Sequence, residues 1–91
     1  MAGDVRDNSE RHRFEIDVDG VTAIAEYRTR DGVITFTHTG VPEALSGRGI
    51  ASRLIKGALD QVRARGLKVV SRCSFVTGYM EKHPEYNDLL A

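Results

Sequence analysis

Hydrophobic and polar residues alternate along the first half of the chain. In residues 13–18, "RFEIDV", phenylalanine, isoleucine and valine are separated by acidic residues, which is the period of two expected of a strand with one buried face. An Asp-Gly pair at 19–20 predicts a tight hairpin turn, because such turns need positive φ. The pattern returns in residues 21–28, a second Asp-Gly pair lies at 31–32, and residues 33–38 alternate again. The sequence therefore predicts an antiparallel β-meander of three strands.

The spacing changes to a helical one in the second half. Apolar residues recur every three or four positions over residues 51–62, which predicts an amphipathic helix with Gly66 just beyond its end. Residues 67–73 predict a fourth strand, and Ser74 is expected to cap a short second helix that ends before Pro84. A strand, a helix and a strand in one sheet form a crossover with parallel strands. The predicted fold is α/β, with the meander followed by a β-α-β crossover, a parallel strand pair and a short C-terminal helix.

Length and charge limit the classes of function. The chain has 91 residues, enough for one small domain. We expect a flexible N-terminal segment over 1–13 and the domain over 14–91. Thirteen basic and thirteen acidic side chains cancel, so no nucleic-acid partner is expected. A small core without an identifiable apolar surface stripe predicts a monomer or a weak homodimer.

The predicted location follows from two further features. No apolar run approaches the roughly 18 residues of a membrane span, and the N-terminus lacks the apolar stretch of a signal peptide. The single cysteine, Cys73, suits a reducing compartment. We therefore expect a cytoplasmic protein with no membrane contact.

The segment that joins the third strand to the first helix contains Gly47 and Gly49 on either side of one arginine. This loop lies at the carboxyl edge of the predicted parallel pair, where open α/β sheets bind ligands. A helix start offers unpaired N–H groups and partial positive charge, so an anion such as phosphate is the expected guest. Taken alone, the glycine pattern also suits an ordinary turn.

Two residues that can perform chemistry are expected at the same edge. Cys73 ends the fourth strand next to a helix start, where a thiol can have a lowered pKa and act as a nucleophile or a proton carrier; it can also be a small core residue. His38 ends the third strand and shares a predicted face with Ile34 and Phe36. It is therefore either a core histidine or a general base.

The loop and the motifs around it resemble the small, single-domain branch of the GNAT-type N-acetyltransferases. The family's loop motif, R/Q-x-x-G-x-G/A, falls on residues 46–51, where Gly49 and Ala51 match and Ser46 departs from it. The branch commonly carries a glutamate where this chain has Gly40. The other matching motifs are His38-Thr39, "ARGLKVV" at 64–70, Cys73 and "HPEY" at 83–86.

The resemblance implies acetyl-CoA as the cosubstrate, an amine as the acceptor and no metal. It implies that the CoA pyrophosphate binds the backbone of the loop and helix start, and that the pantetheine arm follows the third strand. The implied cofactor-binding residues are Thr39, Val41, Gly47, Arg48, Gly49, Ile50, Ala51 and Ser52.

The candidate catalytic residues are Cys73, His38 and Tyr79; the resemblance implies the roles of Cys73 and Tyr79, and the role of His38 follows from its residue type and position. Cys73 would form an acyl-enzyme or protonate the departing thiolate. His38 would be the general base. Tyr79 would donate a proton to the CoA sulfur, unless its ring only packs in the core.

Two main hypotheses for function follow. The first is an acetyltransferase that moves the acetyl group of acetyl-CoA to an amine of unknown identity. The alternative is a CoA-binding or interaction module with little or no turnover, which Ser46 and Gly40 favour. A third is a phosphate-binding domain for another nucleotide, although the loop lacks the Gly-Lys-Ser/Thr ending of a P-loop.

Overall fold

The structure, a computed structural model, describes residues 4–91. They form a five-stranded sheet whose neighbours follow chain order, antiparallel through the first four strands and parallel between the last two. This confirms the predicted α/β fold with its meander and parallel pair. The elements are β1 (Arg6–Asn8), β2 (Arg13–Val18), β3 (Val21–Arg30), β4 (Val33–Gly40), α1 (Ile50–Ala64), β5 (Lys68–Ser71) and α2 (Ser74–Lys82).

Both helices cover the same core. α1 packs against β2 to β5 and α2 against β4 and β5, and their apolar residues form one cluster with the inward side chains of the sheet. α1 ends as predicted, since Gly66 has a φ of 69° and its amide donates to the Arg63 carbonyl at 3.1 Å. The Leu67 amide donates to the Val62 carbonyl at 3.2 Å, which completes a Schellman motif. The buried residues of α1 are Ile50, Leu54, Ile55, Ala58, Leu59 and Val62.

The N-terminal segment contains a strand that the sequence analysis did not predict. β1 pairs antiparallel with β2, inside the segment expected to be flexible; residues 1–3 of that segment lie outside the described residues. One Asp7 carboxylate oxygen accepts from the Tyr27 hydroxyl at 2.5 Å, and the other accepts from Arg65 at 2.6 Å. Polar contacts of this kind leave no hydrophobic periodicity, so the pattern could not indicate the strand.

A bulge in β4 reverses the alternation of its side chains. Tyr27 lies opposite Phe36, whereas the preceding residue, Glu26, lies opposite His38, so Thr37 is the extra residue. An inserted residue shifts every later side chain to the other face. The last residues of β4 therefore point the opposite way from the sequence expectation.

His38 is the residue that this shift affects most. It is exposed, and the core-facing position opposite Ala25 is taken by Thr39. The expectation that His38 shares a face with Phe36 is wrong, because strict alternation does not survive a bulge. The core-histidine hypothesis is thereby excluded, while the role of general base stays a prediction.

Gly57, in the middle of α1, generates the first testable prediction. A Cβ added at Gly57 would lie 2.5 Å from Val5 Cγ2 and 2.7 Å from Val5 Cβ, so the N-terminal segment would have to move. Without such a clash, replacing glycine by alanine inside a helix stabilises it by about 1 kcal/mol. We predict that Gly57→Ala lowers the free energy of unfolding in the native chain and raises it in a Val5→Gly background. Urea denaturation of the four proteins checks this, and stabilisation in both backgrounds would contradict it.

Candidate functional site

The glycine loop presents a bare helix start. Gly47 and Gly49 have φ values of 76° and 71°, and no atom lies within 4 Å of a Cβ built on either. Gly49 is the N-cap of α1, which has no side-chain cap and no acidic residue in its first turn. The first amides of a helix have no partner within it. The partial positive charge of this end is therefore available to an anion.

Arg48 between these glycines binds the β2–β3 turn. Its guanidinium donates to the Asp19 carboxylate at 2.9 Å, and both side chains are largely exposed. The hydrogen bond and the charge of Arg48 lower the pKa of Asp19. The ion pair fixes the loop to the turn, and it turns the Arg48 side chain toward Asp19.

At the other end of the site, β4 and β5 separate. Their pairing ends at Phe36 and Ser71, after which the Arg72 amide donates to the Phe36 carbonyl at 2.8 Å. Beyond that bond, the Thr39 hydroxyl and the Cys73 thiol approach to 3.3 Å. The structure thus brings together two of the predicted site residues, one from each strand.

Cys73 is the N-cap of α2. Its backbone is extended, with φ −110° and ψ 125°, and α2 begins at Ser74. The expectation that Ser74 caps this helix is wrong by one residue, because Ser74 already has helical geometry. The thiol is nearly buried and lies at the amino end of α2, where the positive end of the helix favours a thiolate.

The surroundings of Cys73 lower its pKa. Burial opposes ionisation, but hydrogen bonds from the Thr39 hydroxyl and from the backbone amides of Val76, Phe75 and Thr39 outweigh it. Hydrogen bonds to the charged form of a group favour that form. The pKa of the Cys73 thiol therefore lies below its ordinary value, which gives more thiolate at neutral pH.

Tyr79 lies between the two helices. Its ring stacks on His83 with 4.0 Å between centroids, and burial raises the pKa of its hydroxyl. The charged groups that influence this hydroxyl are Lys56, Glu85 and Asp60. The role of Tyr79 as a proton donor to the CoA sulfur stays a prediction.

A groove beside the helix start contains residues that the sequence analysis did not single out. It measures about 220 Å³ and joins Ser52 of α1 to Tyr79 and His83 of the α2 side; Ser74, Phe75, Gly78 and Lys82 complete its lining. Phe75 is 38 % exposed. The sequence signal for this groove is Phe75, a large apolar residue next to the residue that was expected to cap α2. The groove itself forms only where α1 and α2 pack together.

Within residues 4–91, no group of three His, Cys, Asp or Glu side chains is arranged to hold a metal ion. In the same range, no helix is long and apolar enough to cross a membrane.

Comparison with known proteins agrees with this arrangement. Residues 13–89 match the GCN5-related N-acetyltransferase family. The chain is 32 % identical over 84 residues to Protein NATD1 of Mus musculus, covering 88 % of this chain and 76 % of that protein. It is 32 % identical over 88 residues to Protein NATD1 of Danio rerio, with 90 % and 79 % covered.

The fold comparison gives the same result. The solution NMR structure of a GCN5-like protein from Staphylococcus aureus superimposes with a TM-score of 0.72 at 30 % identity, covering 97 % of this chain and 87 % of that one. The meander, the parallel pair and the glycine-rich helix start define a small acetyltransferase-type α/β domain. The chain belongs to the GCN5-related N-acetyltransferase family.

The contact between Thr39 and Cys73 generates a prediction. Thr39→Val keeps the shape of the side chain and removes the hydroxyl that lowers the pKa of the thiol. We expect the pKa of Cys73 to rise, and alkylation by iodoacetamide at neutral pH to slow, because the thiolate is the reactive form. Thr37→Val removes an exposed hydroxyl from the same strand and is the matched control. Identical pH profiles of alkylation for the two variants would contradict this account.

Proposed function

We propose that this protein transfers the acetyl group of acetyl-CoA to an amine. The observation that carries the proposal is the position of two features at one edge of the sheet: the uncapped start of α1 and the Cys73 thiol with its lowered pKa. The first suits the pyrophosphate of CoA. The second suits chemistry at its thioester.

The backbone supplies the proposed binding site for the cosubstrate. The amides of Gly49, Ile50, Ala51 and Ser52 begin α1 and would hold the pyrophosphate. The pantetheine arm would follow residues 39–41, where β4 continues beyond its last pairing with β5. Beyond Phe36 that edge of β4 has no β5 partner, so backbone groups that do not bind the Cys73 thiol would offer hydrogen bonds to an amide-containing chain.

The lowered pKa of Cys73 favours a covalent route. Its thiolate would attack the carbonyl carbon of the thioester, a new S–C bond would form, and CoA would leave as a thiolate that takes up a proton. The neutral amine would then attack the acetyl-Cys73 carbonyl, lose its proton to a base and release the Cys73 thiolate. In the direct route the amine attacks acetyl-CoA itself, and Cys73 or Tyr79 gives the proton to the departing CoA.

His38 is the proposed base for the amine. It is exposed at the end of β4, on the face opposite to Thr39, and histidine is the side chain that most often serves as a general acid or base. Gly40 supplies no carboxylate beside it. That absence favours the second candidate function, a CoA-binding module with little turnover.

We further propose that the protein is a monomer or a weak homodimer and that it acts in the cytoplasm.

Binding at the glycine loop is tested with Gly49→Ala. The new methyl group would enter the open space over the helix start, so we expect the affinity for CoA to fall by about tenfold or more. Gly32→Ala is the matched control, since Gly32 also has positive φ and open space but lies in the β3–β4 turn. Each variant should lose about 1 kcal/mol of stability from the backbone strain alone. Equal CoA affinities by calorimetry would overturn the loop assignment.

The role of Cys73 is tested by mass spectrometry. After incubation with acetyl-CoA and no acceptor, we expect the protein to gain one acetyl group, and we expect Cys73→Ala to gain none. In the direct route with Cys73 as the proton donor, no adduct forms, but release of CoA in the presence of amines still falls in the variant. Full activity in folded Cys73→Ala would sink both roles of Cys73 and would leave Tyr79 as the proton donor of the direct route. CoA binding without turnover on a panel of amines would establish the binding module instead.

A further inference from the structure

We propose that Ser71 is a positioning residue for Cys73, because its side-chain hydroxyl holds the Cys73 carbonyl and so fixes the thiol at the amino end of α2. The inference rests on the proposed acetyl transfer and adds a residue to the machinery of that reaction. Ser71 acts through the backbone of Cys73 and is not itself a catalytic residue.

The hydrogen bonds of Ser71 have defined directions. Its Oγ lies 2.9 Å from the Cys73 carbonyl oxygen and 2.8 Å from Thr77 Oγ1. A carbonyl can only accept, and a serine hydroxyl carries one hydrogen, so that hydrogen goes to the Cys73 carbonyl. Thr77 must then donate to Ser71. A directed chain of hydrogen bonds therefore runs from the Thr77 hydroxyl through the Ser71 hydroxyl to the backbone of Cys73.

The Cys73 carbonyl accepts a second hydrogen bond from α2 itself. The Thr77 amide donates to it at 3.0 Å, as is usual for the carbonyl of an N-cap residue. One oxygen atom thus binds the end of β5 through Ser71 and the first turn of α2 through Thr77. Because a carbonyl oxygen has two lone pairs, both are used here, and the peptide group after Cys73 is held from two directions.

The backbone before Cys73 is held as well. The Arg72 amide donates to the Phe36 carbonyl of β4 at 2.8 Å. Cys73 therefore lies between one backbone group that is bound to β4 and another that is bound to Ser71 and α2. The nearly buried thiol, 3.3 Å from the Thr39 hydroxyl, keeps its place because both groups are fixed.

The position of the thiol relative to α2 controls its ionisation. Burial opposes the thiolate, and hydrogen bonds favour it, among them those from the backbone amides of Val76 and Phe75. These amides belong to the first turn of α2 and stabilise the charge only while they point at the sulfur. The neighbouring charged residue, Arg72, is exposed, so solvent screens its charge. Loss of the Ser71 hydroxyl would release the first turn from β5 and weaken this stabilisation.

The experiment measures the rate at which iodoacetamide alkylates Cys73 as a function of pH, on the full chain without acetyl-CoA. The thiolate is the reactive form, so the midpoint of this profile reports the pKa of the thiol. For Ser71→Ala we expect a higher midpoint and, on the acidic side of it, alkylation slower by about threefold or more. At high pH, where the thiol is fully ionised, the rate should return to that of the native chain.

Thr77→Val is the matched control. It removes a hydroxyl from the same chain of hydrogen bonds and leaves the bond from Ser71 to the Cys73 carbonyl, so stability should fall while the profile stays native. Ser71→Thr keeps a hydroxyl and should also have the native profile. Ser71→Val has the shape of threonine without the hydroxyl and suits a strand; it should shift the profile as Ser71→Ala does, and it takes the place of that variant if alanine prevents folding.

Three results would overturn the inference: a native profile in the folded variants that lack the Ser71 hydroxyl, an equal shift in Thr77→Val, or an equal shift in Ser71→Thr. A merely structural role of Ser71 predicts the first of these, with a loss of stability alone. Because the profile is read without acetyl-CoA, this failure is distinct from that of the proposed function. A shifted profile in a protein that never transfers acetyl contradicts acetyl transfer alone, whereas acetyl transfer with an unmoved profile contradicts the positioning role alone.

Discussion

The parallel pairing of β4 with β5 is the constraint on which the rest of the structure depends. It covers only Val33–Phe36 and Lys68–Ser71, with α1 as the crossover between the two strands. Such a crossover returns the chain so that the helix start and both strand ends lie at one edge of the sheet. The short pairing separates β4 from β5 beyond Phe36, while β3 stays paired with β4 to Gly40, and the nearly buried thiol of Cys73 lies where the two strands part.

The bulge at Thr37 gives the end of β4 two different chemical faces. One side turns Thr39 toward Cys73, where a hydroxyl and helix amides stabilise a thiolate. The other side turns His38 and the space over Gly40 toward an uncovered surface. A strand with strict alternation would have placed the imidazole in the core and the threonine hydroxyl on the outside. One inserted residue thus places the imidazole of His38 and the thiol of Cys73 on opposite faces of β4.

Sequence periodicity was sufficient for the elements that bury an apolar stripe. β2, β3 and the first half of β4 follow the alternation, α1 follows its 3.6-residue period, and the Asp-Gly turns and Gly66 marked the boundaries. β1 was missed because polar contacts hold it, and the bulge was missed because alternation carries no sign of an inserted residue until the partner strand is known. The groove beside Phe75 depends on tertiary packing. The proximity of Thr39 to Cys73 likewise required the structure.

The central claim is that the helix start and the thiol belong to one CoA site. The most direct measurement is the rate at which iodoacetamide alkylates Cys73 with and without saturating S-methyl-CoA, a thioether analogue that neither reacts with the reagent nor donates an acetyl group. The account predicts strong protection by S-methyl-CoA and none by ATP at the same concentration. Equal alkylation rates with and without the analogue, under conditions where calorimetry shows it bound, would contradict the account.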